Sequence, residues 1–438
     1  MIFMQQKQVF HNAKWIIVCK IAQSILQLII GMISARYLGP SNYGLINYAA
    51  SIVAFAMPIM KLGMDAILVH ELIETPEKEG EIMGTSLLLN FLSGLLCIVG
   101  VSAFSFLANL GETETILVCI LYSISILFAA LEMMQYWFQY KLLSKYSSII
   151  MLISYLFVSA YKIFLLATAK NVYWFSVSHS VEYGIIGILL IACYFKKSGM
   201  KLTFSFERAK KMLAKSKHYI WAALMVVVIQ NTDHIMLTKM IGQAENGFYS
   251  AAVTCITIFQ FVFLAIADSF RPLILQEKKL GSLEYEKNLI LLYNITLYLA
   301  IFQSIGFCIF AKLLVQIMYG VEYLPSVPVI RILSFYFIFS LMGLLRNIWL
   351  LAEGKQKYLF TINLSGAMLN ILLNAVMIPL WGACGAAFAS FLTQFFMNFV
   401  FGFIFKPIRE NNILLLKGLH PKLLLVSIRQ FFRTINKH

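Results

Sequence analysis

Ser34-Ala35-Arg36-Tyr37-Leu38-Gly39-Pro40-Ser41-Asn42-Tyr43-Gly44-Leu45-Ile46-Asn47-Tyr48-Ala49-Ala50 joins two long apolar runs through a short Gly/Pro turn, with one arginine at the join. A second copy follows much later: Lys239-Met240-Ile241-Gly242-Gln243-Ala244-Glu245-Asn246-Gly247-Phe248-Tyr249-Ser250-Ala251-Ala252. Each copy has a cation, a glycine, four residues, a second glycine, and then an aromatic-and-small run. An offset of 203 residues (239 − 36) carries Gly39 onto Gly242 and Gly44 onto Gly247 without a gap.

The chain around these copies is too apolar for a water-facing surface. Of its 438 residues 60% are hydrophobic and 13% charged, against about 45–50% and about 25% in a soluble domain. Apolar runs of about 20 residues recur throughout, the signature of membrane-spanning helices. The runs are continuous rather than alternating, which excludes a membrane barrel. The seven cysteines lie in or beside apolar runs with no CxxC pair, so they read as small packing residues. The first run, from about Lys14, is too long for a cleaved signal peptide and lacks a small-residue cleavage site, so it counts as helix one.

Twelve spans are expected: 14–35, 43–64, 82–107, 115–138, 146–168, 172–195, 218–240, 247–271, 289–311, 327–351, 358–378 and 382–405. The domain reading is an N-terminal six-helix half (1–195), a basic cytoplasmic connector (196–217), a C-terminal six-helix half (218–406) and a basic cytoplasmic tail (407–438) with an interfacial amphipathic helix. With the N-terminus inside, most of the 35 basic residues fall in cytoplasmic segments, and the outside loops keep Arg36, Lys170, Lys239 and Lys312. The formal charge of +15 is therefore a topology signal plus attraction to anionic lipid, and nucleic acid is not implied. A repeat unit of six helices gives two halves of the same orientation. The expected fold class is an all-α polytopic membrane protein, two parallel pseudo-repeats around a central cavity with both termini cytoplasmic. That is a transporter plan with its substrate site between the halves.

Polar residues recur along helix faces. Helix one shows Lys20, Gln23, Gln27, Gly31 and Ser34, and helix two shows Asn47, Ser51, Ala54, Pro58, Lys61 and Asp65. The same offset carries Asp65 onto Asp268, so the repeat brings a carboxylate with its glycines. Ser147, Ser154, Tyr161 and Lys162 stripe helix five; Gln230, Asn231, Asp233, His234 and Thr238 stripe helix seven; Asn363, Asn370 and Asn374 stripe helix eleven; helix ten adds Arg331 and Arg346. A charge at the centre of a span costs about 2.5–3.5 kcal/mol on insertion scales. The competing account is snorkelling near a helix end, which fits Arg271 and Lys239 and extends to Arg346. The remaining charges point to a hydrated path. Lys20, Lys61, Lys162, Arg331 and Arg346 are its cationic candidates, and Gln27, Asn47, Ser51, Gln230, Asn231, Asn370 and Asn374 its polar lining. Basic groups outnumber the embedded acids Asp65, Glu132, Glu182, Asp233 and Asp268, which favours an anionic passenger. Asp65, Asp233 and Asp268 are candidates for ion coupling, with helix capping as the alternative for Asp65 and Asp268.

No GxxxxGK[ST] and no HExxH occurs, and the outside loops are short, the longest being 313–326. These absences lean away from an enzyme, and no cofactor or metal is called for.

Ala35-Arg36-Tyr37-Leu38-Gly39-Pro40 with Tyr43-Gly44 resembles the first signature of the bacterial polysaccharide and O-antigen (Wzx-type) flippases of the multidrug/oligosaccharidyl-lipid/polysaccharide exporter superfamily. Leu62-Gly63-Met64-Asp65 followed by His70-Glu71-Leu72-Ile73 is similar to that family's next segment, and Tyr136-Trp137-Phe138-Gln139 to its helix-four end. There the family tends to continue with Gly and Glu, where this chain has Tyr140 and Lys141. Gln230-Asn231-Thr232-Asp233 with Ile235-Met236-Leu237, and Gly382-Ala383-Cys384-Gly385-Ala386-Ala387, look like the family's helix seven and the start of its last helix. The resemblance implies flipping of undecaprenyl-diphosphate-linked oligosaccharide repeat units across the bacterial inner membrane for O-antigen, lipopolysaccharide or another surface polysaccharide. It also implies alternating access coupled to an ion gradient. The partners it implies are the lipid-linked oligosaccharide, membrane lipids, a polysaccharide polymerase and a chain-length regulator. Three rivals stand beside it: a drug or cation exporter of the same superfamily, a membrane-embedded enzyme of glycan assembly, and a structural scaffold.

Overall fold

In a bilayer, backbone N–H and C=O groups find no water, so a spanning segment must satisfy them within itself. The computed structural model describes the backbone of residues 2–282, 284–421 and 423, and the side chains of these from residue 15 on, residue 17 excepted. Among the described residues there is no strand. The helices are α1 (Ile2–Lys61), α2 (Leu68–Glu74), α3 (Glu79–Ala108), α4 (Thr113–Ser123), α5 (Ser125–Ala129), α6 (Gln135–Tyr140), α7 (Ser144–Ala167) and α8 (Val172–Ser198). After them come α9 (Phe206–Met240), α10 (Gln243–Thr257), α11 (Gln260–Leu280), α12 (Glu284–Met318), α13 (Ser326–Ala352), α14 (Tyr358–Phe395), α15 (Phe401–Ile404) and α16 (Arg409–Gly418).

Nine helices among the described residues are long and apolar enough to cross a membrane, or ten if α10 and α11, bent by 43° at their junction, form one span. The protein is a multi-pass α-helical membrane protein. Two of the nine contain a glycine outside helical geometry: Gly39 (φ 71°, ψ 171°) in α1 and Gly382 (φ 53°, ψ −131°) in α14. Gly242, at the second copy of the opening motif, sits at φ 143°, ψ 173° directly before α10. Positive φ with extended ψ is essentially a glycine conformation. Both copies therefore turn the chain at the same glycine by the same backbone means. Pro40 can start the helix that follows because its missing N–H would have had no partner there.

The described residues divide into two compact units, one ending at Asn231 and the other beginning at Thr232. In the first, Met64, Leu68, Met83, Met134, Trp137, Phe138, Leu190 and Met212 form a buried core. The segment expected as a basic connector is helical except for residues 199–205. That short strap lies against the start of α3: Thr203 N–H donates to Gly80 O at 3.2 Å and Ser205 N–H to Thr85 Oγ1 at 3.1 Å. A Cβ on Gly84 would stand 2.4 Å from Thr203 O and one on Gly80 2.3 Å from Lys201 O, so the two glycines let the backbones touch. Carboxylates then hold the charges of the strap region. Glu71 meets Arg208 at 3.4 Å and Lys215 at 2.5 Å, and Glu81 meets Arg208 at 3.4 Å. Buried Glu79 takes Lys141 at 2.7 Å, the Trp137 indole N–H at 3.0 Å and the Ser198 hydroxyl at 2.8 Å. Lys141 is, with Tyr140, where the chain departs from the family pattern that Tyr136–Gln139 resembles.

In the second unit Phe263, Ala300, Phe337 and Leu341 pack together. The first part of the tail forms α16, whose Asn411 and Asn412 are buried. Tyr293 donates to Asn411 Oδ1 at 2.5 Å and Asn294 to Gly418 O at 2.6 Å. The tail beyond residue 423, which includes the second part (424–432) of the stretch expected as the interfacial helix (413–432), lies outside the described residues. Between α13 and α14, Glu353 accepts Lys278 Nζ at 2.6 Å and the Tyr285 hydroxyl at 2.9 Å. Burial by itself would raise the Glu353 carboxyl; its bonds to Lys278 and Tyr285 and the Lys278 charge outweigh that and hold it below the usual carboxylate range.

Two stability measurements follow from these geometries. A Cβ at Gly242 meets nothing within 4 Å, so Gly242→Ala isolates backbone strain and should cost about 1–3 kcal/mol in detergent unfolding. Gly306→Ala, mid-helix and equally open, should instead stabilise by about 0.5–1 kcal/mol. Glu353→Gln should lower the unfolding midpoint at pH 7. Because the folded carboxyl is depressed, its contribution is present above the unfolded value of 4.5 and lost as pH falls through the folded one. The wild-type and variant midpoints should therefore converge below that range, and a constant gap down to pH 3 would contradict the assignment.

Candidate functional site

Three polar sites lie within the helical units, two in the first and one in the second. The first is a cavity of about 300 Å³ lined from α1, α6 and α7, including Lys20, Gln23, Gln135, Gln139, Ser144, Ser147 and Ser148. Lys20 is exposed at its edge. The chain reverses between α6 and α7 through Leu142, at φ 55°. That turn brings the polar end of one helix beside the serine-rich start of the next.

The second site is a set of embedded charges on α1, α7, α8 and the 3₁₀ segment Ala130–Met134. Lys61 and Glu132 lie within electrostatic reach of each other, as do Lys162 and Glu182. His179 Nδ1 stands 3.9 Å from Glu182, and the Tyr122 ring lies 4.7 Å from the His179 ring. Two of the five cationic candidates thus have an acid within electrostatic reach. An opposite charge nearby offsets part of the cost of placing an ionisable group in a span. Glu132 sits where the helix tightens to 3₁₀, an irregularity that often marks a hinge.

The third site centres on Asp233 in the second unit. Asp233 is 2% exposed on α9. Its Oδ2 accepts the Tyr249 hydroxyl at 2.5 Å and the Ser390 hydroxyl. Its Oδ1 accepts the amides of Asn370, at 3.2 Å, and Asn374. The donors come from α10 and from both parts of α14, on either side of the Gly382 break. Next to it, His234 Nδ1 meets Asn246 Oδ1 at 2.7 Å and the Ser250 hydroxyl at 3.2 Å. All four donors to the carboxylate are neutral. Carboxamides can rotate to present oxygen, and hydroxyls carry lone pairs. The same shell can therefore answer a proton or a small oxygen-seeking cation on Asp233 as well as the bare carboxylate. No group of three or more His, Cys, Asp or Glu arranged to hold a metal ion occurs among the described residues. A cation here would be held by one carboxylate and neutral oxygens.

The other expected residues are dispersed. Arg346 is 3% exposed and donates to Met397 O at 3.0 Å and Asn398 Oδ1 at 2.7 Å. Met397 lies in the π-helical turn Phe396–Val400, where the wider winding displaces carbonyls from the usual ladder. Arg346 thus bonds a kink in the core. Arg331 is exposed and donates to Cys308 O at 3.3 Å. Asp268 is exposed and paired with Arg271 at 3.1 Å, and Asp65 is half-buried in the 3₁₀ turn Met64–Ala66. Gln27 and Gln230 are exposed. Asn47, Ser51 and Asn231 bond the carbonyls of Tyr43, Asn47 and Val227, four residues back on their own helices.

In the sequence Asp233 reads as an ion-coupling candidate and Asn370 and Asn374 together as polar lining, with nothing to join the two, and Tyr249 and Ser390 are not among the candidates. The signal for Tyr249 was its place in the repeated turn, two residues after Gly247. Ser390, in an Ala- and Phe-rich run, carried none.

A family model described as polysaccharide biosynthesis protein matches residues 9–278, and the chain belongs to that family. It is 22% identical over 415 residues to the capsular polysaccharide biosynthesis protein CapF of Staphylococcus aureus, covering 91% of this chain and 99% of the relative. Among solved structures, the lipid II flippase MurJ in an inward closed conformation superposes with a TM-score of 0.72 at 14% identity, over 96% of this chain and 99% of that one. An inward-facing multidrug resistance MATE family transporter of the MOP superfamily gives 0.69 at 12% identity, over 90% and 95%. The fold is that of these transporters.

The Asp233 shell predicts an asymmetry between two variants. Asp233→Ala removes the acceptor shared by four buried donors; Asn374 keeps Asn370 Oδ1 and Tyr249 and Ser390 keep each other, and each donor left unbonded costs about 1–3 kcal/mol, whereas Asp233→Asn keeps an acceptor among them. In detergent unfolding the alanine variant should lose clearly more stability than the asparagine one. Equal losses would show that the carboxylate is not the common acceptor.

Proposed function

We propose that this member of the polysaccharide biosynthesis protein family moves lipid-linked oligosaccharide units from the cytoplasmic to the outer leaflet of a bacterial inner membrane, for a capsule, O-antigen or similar surface glycan. The observation that carries the reading is the match along nearly the whole chain to a capsular polysaccharide protein, on a fold shared with a flippase and an exporter. A diphosphate-bearing sugar headgroup cannot cross hydrocarbon unaided, since each of its polar groups would lose water without replacement. Polar and cationic side chains along the route supply that replacement while the lipid tail stays in the bilayer. The protein's part is translocation, with no bond made or broken.

The topology in this reading has twelve spans. Dividing α1 at Gly39 and α14 at Gly382, and counting α10 with α11 once, gives that number, and the alike turns at Gly39 and Gly242 support two repeats of six. Both termini and residues 199–205 are cytoplasmic, by the distribution of Lys and Arg. The two halves alternate access, and Asp233 couples that change to an ion: its shell of neutral oxygens and amides accommodates either a filled or an empty carboxylate. Lys20, Lys61, Lys162 and Arg331 belong to the substrate path, and a polymerase and a chain-length regulator receive the product.

Deletion of the gene in a polysaccharide-producing host should cause lipid-linked repeat units to accumulate with normal sugar composition, and the wild-type gene should reverse it. Asp233→Asn should restore export poorly, by about tenfold or more less than wild type, at equal membrane abundance. Altered sugar composition or linkage in the deletion strain would favour an assembly enzyme. An unchanged glycan with greater sensitivity to cationic drugs would favour a drug exporter.

A further inference from the structure

The cavity between α1, α6 and α7 has a wall that lipid tails alone do not explain. Lys20, Gln23, Gln139, Ser147 and Ser148 face it, and among the described residues no carboxylate lines it. A crevice meant for acyl chains would be apolar, because an ammonium and carboxamides left against hydrocarbon lose their hydration for nothing. Its volume of about 300 Å³ is at the small end of ligand sites, which run from about 300 to 1,000 Å³. An ammonium among neutral donors selects an anion rich in acceptors.

The surroundings place the mouth at the level of lipid headgroups. Lys145 lies over the Trp15 ring at 4.7 Å and Lys197 over the Tyr146 ring at 4.2 Å. Tryptophan, tyrosine and lysine gather at the boundary between hydrocarbon and water. Trp15 precedes the first lining residue of α1, and Tyr146 lies within the serine-rich start of α7. An occupant of this cavity would have its charged group at that boundary and room for a chain in the bilayer.

We propose that this cavity docks the phosphate-bearing headgroup of a lipid, with Lys20 pairing to phosphoryl oxygens and Gln23, Gln139 and Ser148 bonding the remaining acceptors. The inference deepens the transport reading and rests on it for one point: the occupant is then the polyprenyl diphosphate carrier, held in its own leaflet before transport. A phospholipid of the bilayer offers the same phosphate chemistry, and the test separates the two.

The test is binding of radiolabelled farnesyl diphosphate to the purified full chain in maltoside micelles, which contain no phosphate. Wild type should bind saturably. Lys20→Gln should weaken binding about tenfold or more, as loss of a charge-assisted hydrogen bond requires, and Lys20→Arg should recover most of it. Ser148→Leu, which fills the cavity, should weaken binding to a similar degree. Lys287→Gln, whose exposed ammonium pairs with Glu284, should bind as wild type does, and all variants should elute as wild type does on size exclusion. Displacement by phosphatidylglycerol as readily as by unlabelled farnesyl diphosphate would make the occupant a bilayer phospholipid; displacement by the polyprenyl compound alone would make it the carrier. No binding by wild type, or unchanged affinity in both Lys20→Gln and Ser148→Leu, overturns the proposal. Export assays keep the two readings apart. Variants that bind normally in a chain that restores export would sink the docking site and leave transport standing. Loss of binding in a chain that never restores export would do the reverse.

Discussion

A carboxylate inside a membrane-spanning bundle must be met by donors, and Asp233 is met by four of them from three directions in the chain. Tyr249 reaches it from α10, Asn370 and Asn374 from the first part of α14, and Ser390 from the second. The cost of leaving any of these groups unbonded in hydrocarbon fixes how those segments sit against α9. The break in α14 serves the same arrangement. At Gly382 the chain leaves helical geometry, and the Glu245 carboxylate accepts the N–H of Ala383 at 2.6 Å, answering one of the donors the break exposes. Residues of the second opening motif thus supply both a donor to Asp233 and a cap for the helix that carries Ser390.

The first unit is held differently. Its carboxylates at Glu71, Glu79 and Glu81 sit at the end where the connector strap runs, and each takes a cation from that region or from the α6–α7 turn. Gly80 and Gly84 let the strap's backbone touch α3, which a side chain at either place would prevent. The basic residues of the connector therefore do two things. Their charge is what the expected topology rests on, and Arg208 and Lys215 also fasten the chain to acids on α2 and α3.

Embedded charge in this protein is mostly balanced or bonded. Lys61 and Lys162 lie within electrostatic reach of Glu132 and Glu182, Arg346 bonds the carbonyl and amide of a π-helical turn, and Arg331 bonds a carbonyl on α12. Lys20 is different, because it faces a cavity whose other polar groups, among the described residues, are neutral. A count of basic against acidic residues treats these five cations alike. Their surroundings separate one that faces a polar space from those that bond carbonyls or have an acid within electrostatic reach.

The sequence by itself determined that the chain is a helical, multi-pass membrane protein, because continuous apolar runs of this length leave the backbone no other way to satisfy itself. It also located the turns at Gly39, Gly242 and Gly382, since only glycine adopts those angles cheaply and its spacing is visible in one dimension. Asp233, Asn370 and Asn374 were legible as polar intruders, but not as one site. Asn370 lies 137 residues from Asp233 and Ser390 lies 157, and which faces meet across such distances depends on packing that no local pattern records. The same holds for the strap on α3 and for the cavity beside Lys20, where Gln139 and Ser148 had no periodic signal linking them to helix one. Tertiary structure decided which polar groups answer each other, because in hydrocarbon each must find a partner, and the partner is set by how the helices pack.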